Sequence, residues 1–290
     1  ASGYGALSSN STGGYNTAIG RSALSSNTTG LENTASGYGA LSSNSTGGYN
    51  TASGSDALLR NTTGDFNTAS GSQALYSNTT GSFNTASSRI ALYSNTTGSY
   101  NTAVGYYADV EIGNLQNATA IGYNAKVDAS NKVRIGNTAV TVIQGQVAFT
   151  SSSDARLKDR ITSVSDGLAL INDLNPVSYH RTNNPESDIE MGLLAQEVEA
   201  TLEKHGLGNS GMVHQPTEDA YMSLRYNDLL APMIKAIQEL DDASMAKDEQ
   251  IALLEQKLET QQEELLAIVQ SQQEQIAQLQ RMVEQQFAMN

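Results

Sequence analysis

The sequence predicts a mixed fold, in which a repetitive all-β shaft of β-solenoid or β-roll type precedes an α+β domain that ends in a long coiled coil. Three observations carry this prediction. A 17-residue unit recurs through the N-terminal third of the chain. Residues 1–150 are neutral overall, whereas residues 151–290 hold the entire net charge of -14. A heptad pattern of apolar residues runs through the C-terminal segment.

Four segments follow from these changes in pattern. We expect 17-residue β-solenoid repeats over 1–103, a related β-roll with β closure over 104–150, an α+β domain over 151–240 and a coiled coil over 241–290. Because the first residue falls inside a repeat, we also expect the natural protein to extend further toward its N-terminus.

Composition excludes several classes of function. The chain has no cysteine and its three histidines lack ligand spacing, so we expect neither a metal nor a cofactor. The acidic C-terminal half repels phosphate, which argues against a nucleic-acid partner. No apolar run is long enough to span a bilayer, so membrane insertion is not expected.

The repeats predict one solenoid coil for each 17 residues. The triplet Asn-Thr-Ala begins at Asn16, Asn33, Asn50, Asn67, Asn84 and Asn101. Each unit offers two short extended pieces, x-N-T-A-x-G and A-L-x-x-N, separated by Gly/Asn turns. We expect glycine to supply positive φ at the corners and asparagine to adopt the left-handed conformation there.

Two surface columns of the repeats leave alternatives open. An aromatic column is formed by Tyr15, Tyr49, Phe66, Phe83 and Tyr100. Its interpretation is packing against a neighbouring chain, with a glycan-stacking ladder as the alternative. The threonine column from Thr17 to Thr102 suits β-strands, with an ice-binding face as the alternative. The repeats carry no regular pair of carboxylates, which disfavours a glycan depolymerase that acts in trans.

The segment after residue 103 changes its pattern. It reads N-A-T-A-I-G-Y-N-A-K-V at 117–127, and its A-I-G-x-x-A wording resembles the head repeats of trimeric autotransporter adhesins. That resemblance implies a β-roll built from three chains. Denser β-branched residues then predict strands that close the β region, at Val133, Ile135, Val140, Val142, Ile143 and Val147.

The junction at residue 150 places Ser153 five residues before Lys158 in the stretch T-S-S-S-D-A-R-L-K-D-R-I. Serine and lysine form the simplest self-activated hydrolytic pair, since the amine can act as base for the hydroxyl. Three further blocks follow in order: G-L-A-L-I-N-D-L-N-P-V-S-Y, G-L-L-A-Q-E-V-E and Y-N-D-L-L-A-P-M-I-K-A-I-Q-E-L. Together the four blocks resemble the endosialidase-type intramolecular chaperone of phage tail spikes and tail fibres, a self-cleaving peptidase family.

The resemblance implies a nucleophile at Ser153, a base at Lys158, and autoproteolysis between Ser152 and Ser153, with Asp154 and Arg156 as supporting residues. The preceding serines leave a one-residue ambiguity in the cut. A lysine base must be neutral, which requires partial burial beside cations, whereas nearby aspartates favour the charged form. The sequence leaves that balance open.

The remaining elements are predicted from local patterns. Helices are expected near 165–174 and 194–204, and strands near 177–181 and 189–193. From residue 227 a helical pattern leads into the coiled coil, whose predicted core comprises Ile251, Leu254, Leu258, Leu265, Ile268, Ile276, Leu279 and Val283. Mixed isoleucine and leucine in such a core favours three strands.

The leading hypothesis is the distal tail fibre of a phage or phage-like particle, a homotrimer located on the virion. Its expected partners are a host-surface receptor, glycan or protein, and fibre proteins N-terminal to this segment. Cleavage would occur once and in cis, so no metabolic enzyme is expected. The alternatives are a trimeric adhesin on a bacterial surface with the same self-cleaving chaperone, and an ice- or glycan-binding β-solenoid.

Overall fold

The computed structural model describes residues 1–147, 150–182, 189–215 and 221–288. The chain divides into two compact units. One contains the β-solenoid, Ala1–Ser151, and the other contains Ser152–Tyr179, Glu190–Gln215 and the long C-terminal helix. The predicted β-solenoid and long helix are thereby confirmed. No helix among the described residues is long and apolar enough to cross a membrane.

The solenoid, of about seven turns, is organised around one parallel sheet whose strands come from successive coils. Its eight strands are β1 (Thr17–Ile19), β2 (Thr34–Ser36), β3 (Thr51–Ser53), β4 (Thr68–Ser70), β5 (Thr85–Ser87), β6 (Thr102–Val104), β8 (Thr119–Ile121) and β10 (Val133–Ile135). The short strands β7 (Asp109–Val110) and β9 (Lys126–Val127) form a separate pair. Equivalent residues pair in register, threonine beside threonine and alanine beside alanine. The 17-residue step lasts until Thr119 and then shortens, since Thr119 pairs with Val133.

The core of the solenoid is a stack of small columns. The central alanine of β1 to β6 and of β8 and a leucine from each coil between Leu24 and Leu92 are buried. A ladder of side-chain amides runs beside them, in which each asparagine Nδ2 donates to the Oδ1 one coil earlier at 2.8–2.9 Å. It begins at the exposed Asn10 and continues through the buried Asn27, Asn44, Asn61, Asn78 and Asn95. Because buried polar groups need partners, this ladder lets polar side chains fill the core.

Two details of the predicted coil are wrong. The A-L-x-x-N piece forms turns instead of a strand in the six repeats, and its leucines are left-handed, with φ of 49–53° from Leu7 to Leu92. The repeat asparagines do not adopt the left-handed conformation; their side-chain amides form the ladder described above. Glycine does supply positive φ at the corner after a strand, as at Gly20 and Gly37, whereas the closing glycines, such as Gly30 and Gly47, lack positive φ and are needed for another reason. A Cβ there would meet the carbonyl oxygen of the glycine one coil further on.

The predicted strands over Val140–Val147 are absent from the described residues. After β10 the chain turns at Gly136, where φ is +78°, and the Val140 amide donates to the Asn137 carbonyl. No further strand pairs with β10 in the described chain. Four apolar side chains are therefore 47–82% exposed, namely Val140, Val142, Ile143 and Val147.

The C-terminal unit is α+β. It contains α1 (Gly167–Asp173), β11 (Val177–Tyr179), β12 (Glu190–Gly192), α2 (Ala195–Lys204), β13 (Val213–His214), β14 (Ser223–Leu224) and α3 (Leu230–Ala288). The pairs β11–β12 and β13–β14 are antiparallel. A small core joins α1, α2 and the start of α3, through Leu170, Val198, Leu202, Met212 and Leu229.

Helix α3 contains 59 residues and continues without a break through residue 240. Pro232 lies in its first turn, where a missing amide costs least. The predicted coiled-coil residues, Ile251 to Val283, are each 50–62% exposed in the single chain. Their coiled-coil partner helices, and the trimer, remain predictions.

Candidate functional site

Ser153 and Lys158 meet at the start of the C-terminal unit. The Lys158 Nζ donates to the Ser153 Oγ at 2.8 Å. A one-turn 3-10 helix, Ala155–Leu157, lies between them and reverses the chain so that the two side chains converge. This distance is what proton transfer from a hydroxyl to an amine requires.

Asp154 forms the turn that brings the dyad together. Its Oδ1 accepts from the Arg156 amide at 2.9 Å, which caps the 3-10 helix. Its carboxylate also binds the Arg156 guanidinium, with the closest contact at 2.7 Å. The hydrogen bonds from Arg156 hold the pKa of Asp154 below its usual value. Asp154 is therefore engaged by an arginine, and Asp159 contacts Arg160 at 3.5 Å in the same way.

The dyad lies open to solvent. Every residue from Ser151 to Asp166 is exposed, Ser152 and both members of the dyad among them. A lysine base needs an environment that favours its neutral form, and removal from water is the usual source of that environment. The geometry of the dyad is thus present in the single chain, whereas its shielding from water is not.

A cleft of about 440 Å³ lies elsewhere in the same unit. The segment 162–166 lines it together with Leu170, Met212 and the start of α3, and neither Ser153 nor Lys158 contributes. His205, at one edge of the cleft, has its Nε2 2.7 Å from the Asp173 Oδ2, and Lys204 contacts the same oxygen at 2.8 Å. Both contacts lower the pKa of Asp173. This cluster fastens the end of α1 to the end of α2.

A second long-range contact escaped prediction from the sequence. Asp166, at the N-terminus of α1, makes no capping hydrogen bond through its side chain. Instead the Glu239 carboxylate, from α3, accepts from the Leu168 amide at 2.7 Å, which lowers the pKa of Glu239. Gly167 permits this approach, because a Cβ there would lie 2.7 Å from the Pro232 carbonyl oxygen. Helix α3 is thereby anchored to α1.

Four members of the aromatic column, from Tyr49 to Tyr100, form a continuous stack. Neighbouring rings from Tyr49 to Tyr100 have centroids 4.8–5.0 Å apart and planes within 6° of parallel. Their faces are covered by one another, so the side of the stack presents ring edges to solvent. A sugar that stacks on an aromatic face finds such a face only at the ends of the stack, which argues against a glycan ladder along its length.

Comparison with known protein families gives a match for one part of the C-terminal unit. Residues 153–207 match the family described as chaperone of endosialidase. The match begins at Ser153 and includes α1, β11, β12 and α2, whereas the fourth block of the sequence resemblance and the whole of α3 lie beyond it. No curated protein matches the chain. The segment that matches this family therefore follows the β-solenoid along the chain, in agreement with the sequence resemblance.

The described residues contain no group of three or more His, Asp or Glu side chains placed to hold a metal ion. The Ser153–Lys158 pair needs none for its chemistry, because a hydroxyl nucleophile and an amine base act without a Lewis acid. The roles of Ser153, Lys158, Asp154 and Arg156 in cleavage are still predictions, although their geometry is now described.

Proposed function

We propose that this chain is the distal part of a trimeric fibre of a phage or phage-like particle, and that its chaperone domain aligns the shaft and then releases itself. The observation that carries the proposal is the 2.8 Å contact between Ser153 and Lys158, at the residue where the match to the chaperone family begins. Tail-fibre-like architecture supports it, since a β-solenoid shaft precedes the chaperone.

Cleavage proceeds in cis. The Ser153 Oγ attacks the carbonyl carbon of Ser152 while Lys158 takes the hydroxyl proton, and the Ser152–Ser153 peptide bond becomes an ester. Lys158 returns the proton to the departing amine of Ser153. Water then hydrolyses the ester, which leaves a carboxylate on Ser152 and a free amino terminus on Ser153.

Cleavage is coupled to assembly. Because Ser153 and Lys158 are exposed in the single chain, neighbouring subunits must supply the shielding that a lysine base needs. The apolar seam of α3 brings three subunits together at high effective concentration. The cut therefore follows trimer formation and makes the assembled shaft difficult to reverse, which adds kinetic stability.

The need for an aligning domain follows from the repeats. A shift of 17 residues restores threonine beside threonine and alanine beside alanine, so chains that pair out of register lose little. A coiled coil that forms first selects one alignment before the shaft is complete. The finished shaft then displays its repetitive surface to a host receptor and continues into further fibre proteins at its N-terminal end.

Expression of the intact chain beside Ser153→Ala and Lys158→Met tests self-cleavage. The wild type is expected to give a fragment whose first residue is Ser153, whereas both variants stay at the full 30.7 kDa on denaturing gels and in mass spectra. Ser151→Ala is the matched control and keeps cleavage at the same bond. A wild type that stays intact, or a cut that persists in Ser153→Ala, contradicts the mechanism.

A second pair of variants separates assembly from chemistry. Leu258→Glu places a charge in the predicted seam, and Leu253→Glu places the same charge elsewhere on the same helix, where the leucine is also half exposed. We expect Leu258→Glu to abolish both the trimer and the cut, and Leu253→Glu to preserve both. Cleavage in a monomeric Leu258→Glu chain refutes the coupling.

A further inference from the structure

The leucine column of the solenoid ends in a buried charge. Leucines recur every 17 residues from Leu7 to Leu92, and the next two positions in the same column are Asp109 and Lys126. Among the described residues, Asp109 is the one charged side chain that is buried, with no exposed surface. The backbone ladder continues past the change, because the Asp109 amide donates to the Ala125 carbonyl as the Leu92 amide does to Ala108.

The Asp109 carboxylate replaces a backbone acceptor. In four earlier coils a backbone amide donates to a carbonyl sixteen residues further on, the donors being Ser9, Ser26, Ser43 and Arg60. Ser94 occupies the equivalent position two coils after Arg60, and its amide donates to the Asp109 carboxylate at 3.1 Å. The residues that follow the buried alanine form a turn in the earlier coils, but here they form a short strand, β7 (Asp109–Val110), which pairs with β9 (Lys126–Val127).

Lys126 completes the arrangement from the next coil. Its Nζ lies 3.4 Å from the Asp109 Oδ2 and 3.4 Å from the ring centroid of Tyr107. A buried carboxylate that loses such a partner is strongly destabilising, whereas buried leucines can exchange neighbours at little cost. The pair thus distinguishes this coil boundary from the boundaries between the leucine-bearing coils, which look alike. Burial raises the pKa of Asp109, in keeping with its complete removal from water.

We propose that Asp109 and Lys126 form a register stop, which ends the leucine column and fixes the coil on which the β8 coil stacks. If the β8 coil stacked one coil too early, Lys126 would lie beside Leu92, and Asp109 would be expelled with the skipped coil. The stop acts within one chain and at the C-terminal end of the solenoid. It is therefore independent of α3 and of cleavage.

Disulfide trapping tests the stop, because the natural chain has no cysteine to interfere. Thr102 and Thr119 are paired in the native sheet, at the strand spacing of about 4.8 Å that a disulfide can bridge. Thr85 and Thr119 lie two strands apart, at about 9.6 Å, beyond its reach. A disulfide between residues 85 and 119 therefore reports a skipped coil.

Each cysteine pair is placed in the parent and in an Asp109→Leu/Lys126→Leu background, refolded from denaturant and oxidised. In the parent we expect the 102–119 disulfide alone. In the leucine background the column continues, and we expect the 85–119 disulfide to appear as well. A leucine background that forms only the 102–119 disulfide overturns the proposal. The proposal is also overturned if the parent forms as much of the 85–119 disulfide as the leucine background does.

Asp109→Asn serves as the second variant and keeps the test decisive if the leucine background does not fold. It retains an acceptor for the Ser94 amide and removes the charge that Lys126 meets. We expect an 85–119 disulfide in this variant, in a smaller fraction than in the leucine background. Disulfide patterns in Asp109→Asn that equal those of the parent contradict the role of the charge.

Discussion

Ser88 provides the sharpest test of the solenoid geometry. Glycine occupies this corner in the neighbouring coils, with φ of 135° at Gly71 and 132° at Gly105, whereas Ser88 adopts φ of 125° at the same position. The Ser88 amide donates to the Ser70 carbonyl at 2.8 Å, as Gly71 does to Ser53, so the coil forces the same backbone on both. Ser88→Gly keeps this backbone conformation and removes the side chain that makes it unfavourable.

The expected gain follows from two opposing terms. Relief of this backbone conformation contributes about 1–3 kcal/mol. The added freedom of glycine in the unfolded chain costs about 0.4–1 kcal/mol. The free energy of unfolding should rise by about 1–2 kcal/mol, and each kcal/mol should raise Tm by about 2–4 °C in a unit of this size.

Thermal unfolding followed by circular dichroism measures the shift. Gly54→Ser is the matched control, since a Cβ there would lie 2.6 Å from the Gly71 carbonyl group, and it should lower Tm. A Ser88→Gly variant that melts at or below the wild-type temperature would refute the claim that the repeat imposes glycine geometry on this corner.

Three other substitutions probe the packing of the solenoid core and two contacts within the C-terminal unit. Leu58→Ala opens a cavity in a fully buried column and should cost about 2–5 kcal/mol in chemical denaturation, while Leu59→Ala, at a half-buried neighbouring position, should cost less. Asp173→Asn should lower Tm at neutral pH. Because contacts with Lys204 and His205 lower the pKa of the wild-type carboxyl, its contribution is present above the ordinary aspartate value and is lost as pH falls through the folded pKa. The two melting curves should therefore converge only once the pH lies below that lowered pKa, and a difference that persists after the carboxyl is protonated contradicts the ion pair. Glu239→Gln should increase hydrogen exchange at the Leu168 amide, whereas Glu249→Gln, further along α3, should leave it unchanged.

The repeating architecture could be predicted from the sequence because its 17-residue period is visible in the order of residues. Alanine at the centre of each T-A-x triplet predicts a buried column, and the strands have that burial pattern. The left-handed conformation of the leucines could not be predicted from the sequence. Leucine alone does not favour that conformation, and only the ladder to the next coil, such as Leu58 to Ala74, holds it there.

The junction was predicted in part. The four blocks that resemble the chaperone family led to the pairing of Ser153 with Lys158, and their contact distance agrees with it. Asp154 binds Arg156, a contact that the sequence analysis did not predict, and its effect on the charge of Lys158 stays a prediction. Glu239 was missed because its partner, Leu168, lies 71 residues away, and no local pattern indicates such a contact.

Native mass spectrometry of the purified wild-type chain tests the central claim most directly, because it reports cleavage and assembly together. The account predicts a trimer of shaft fragments that end at Ser152, and chaperone fragments that begin at Ser153. A single intact species with the 30.7 kDa mass of one chain would contradict both the assembly and the release.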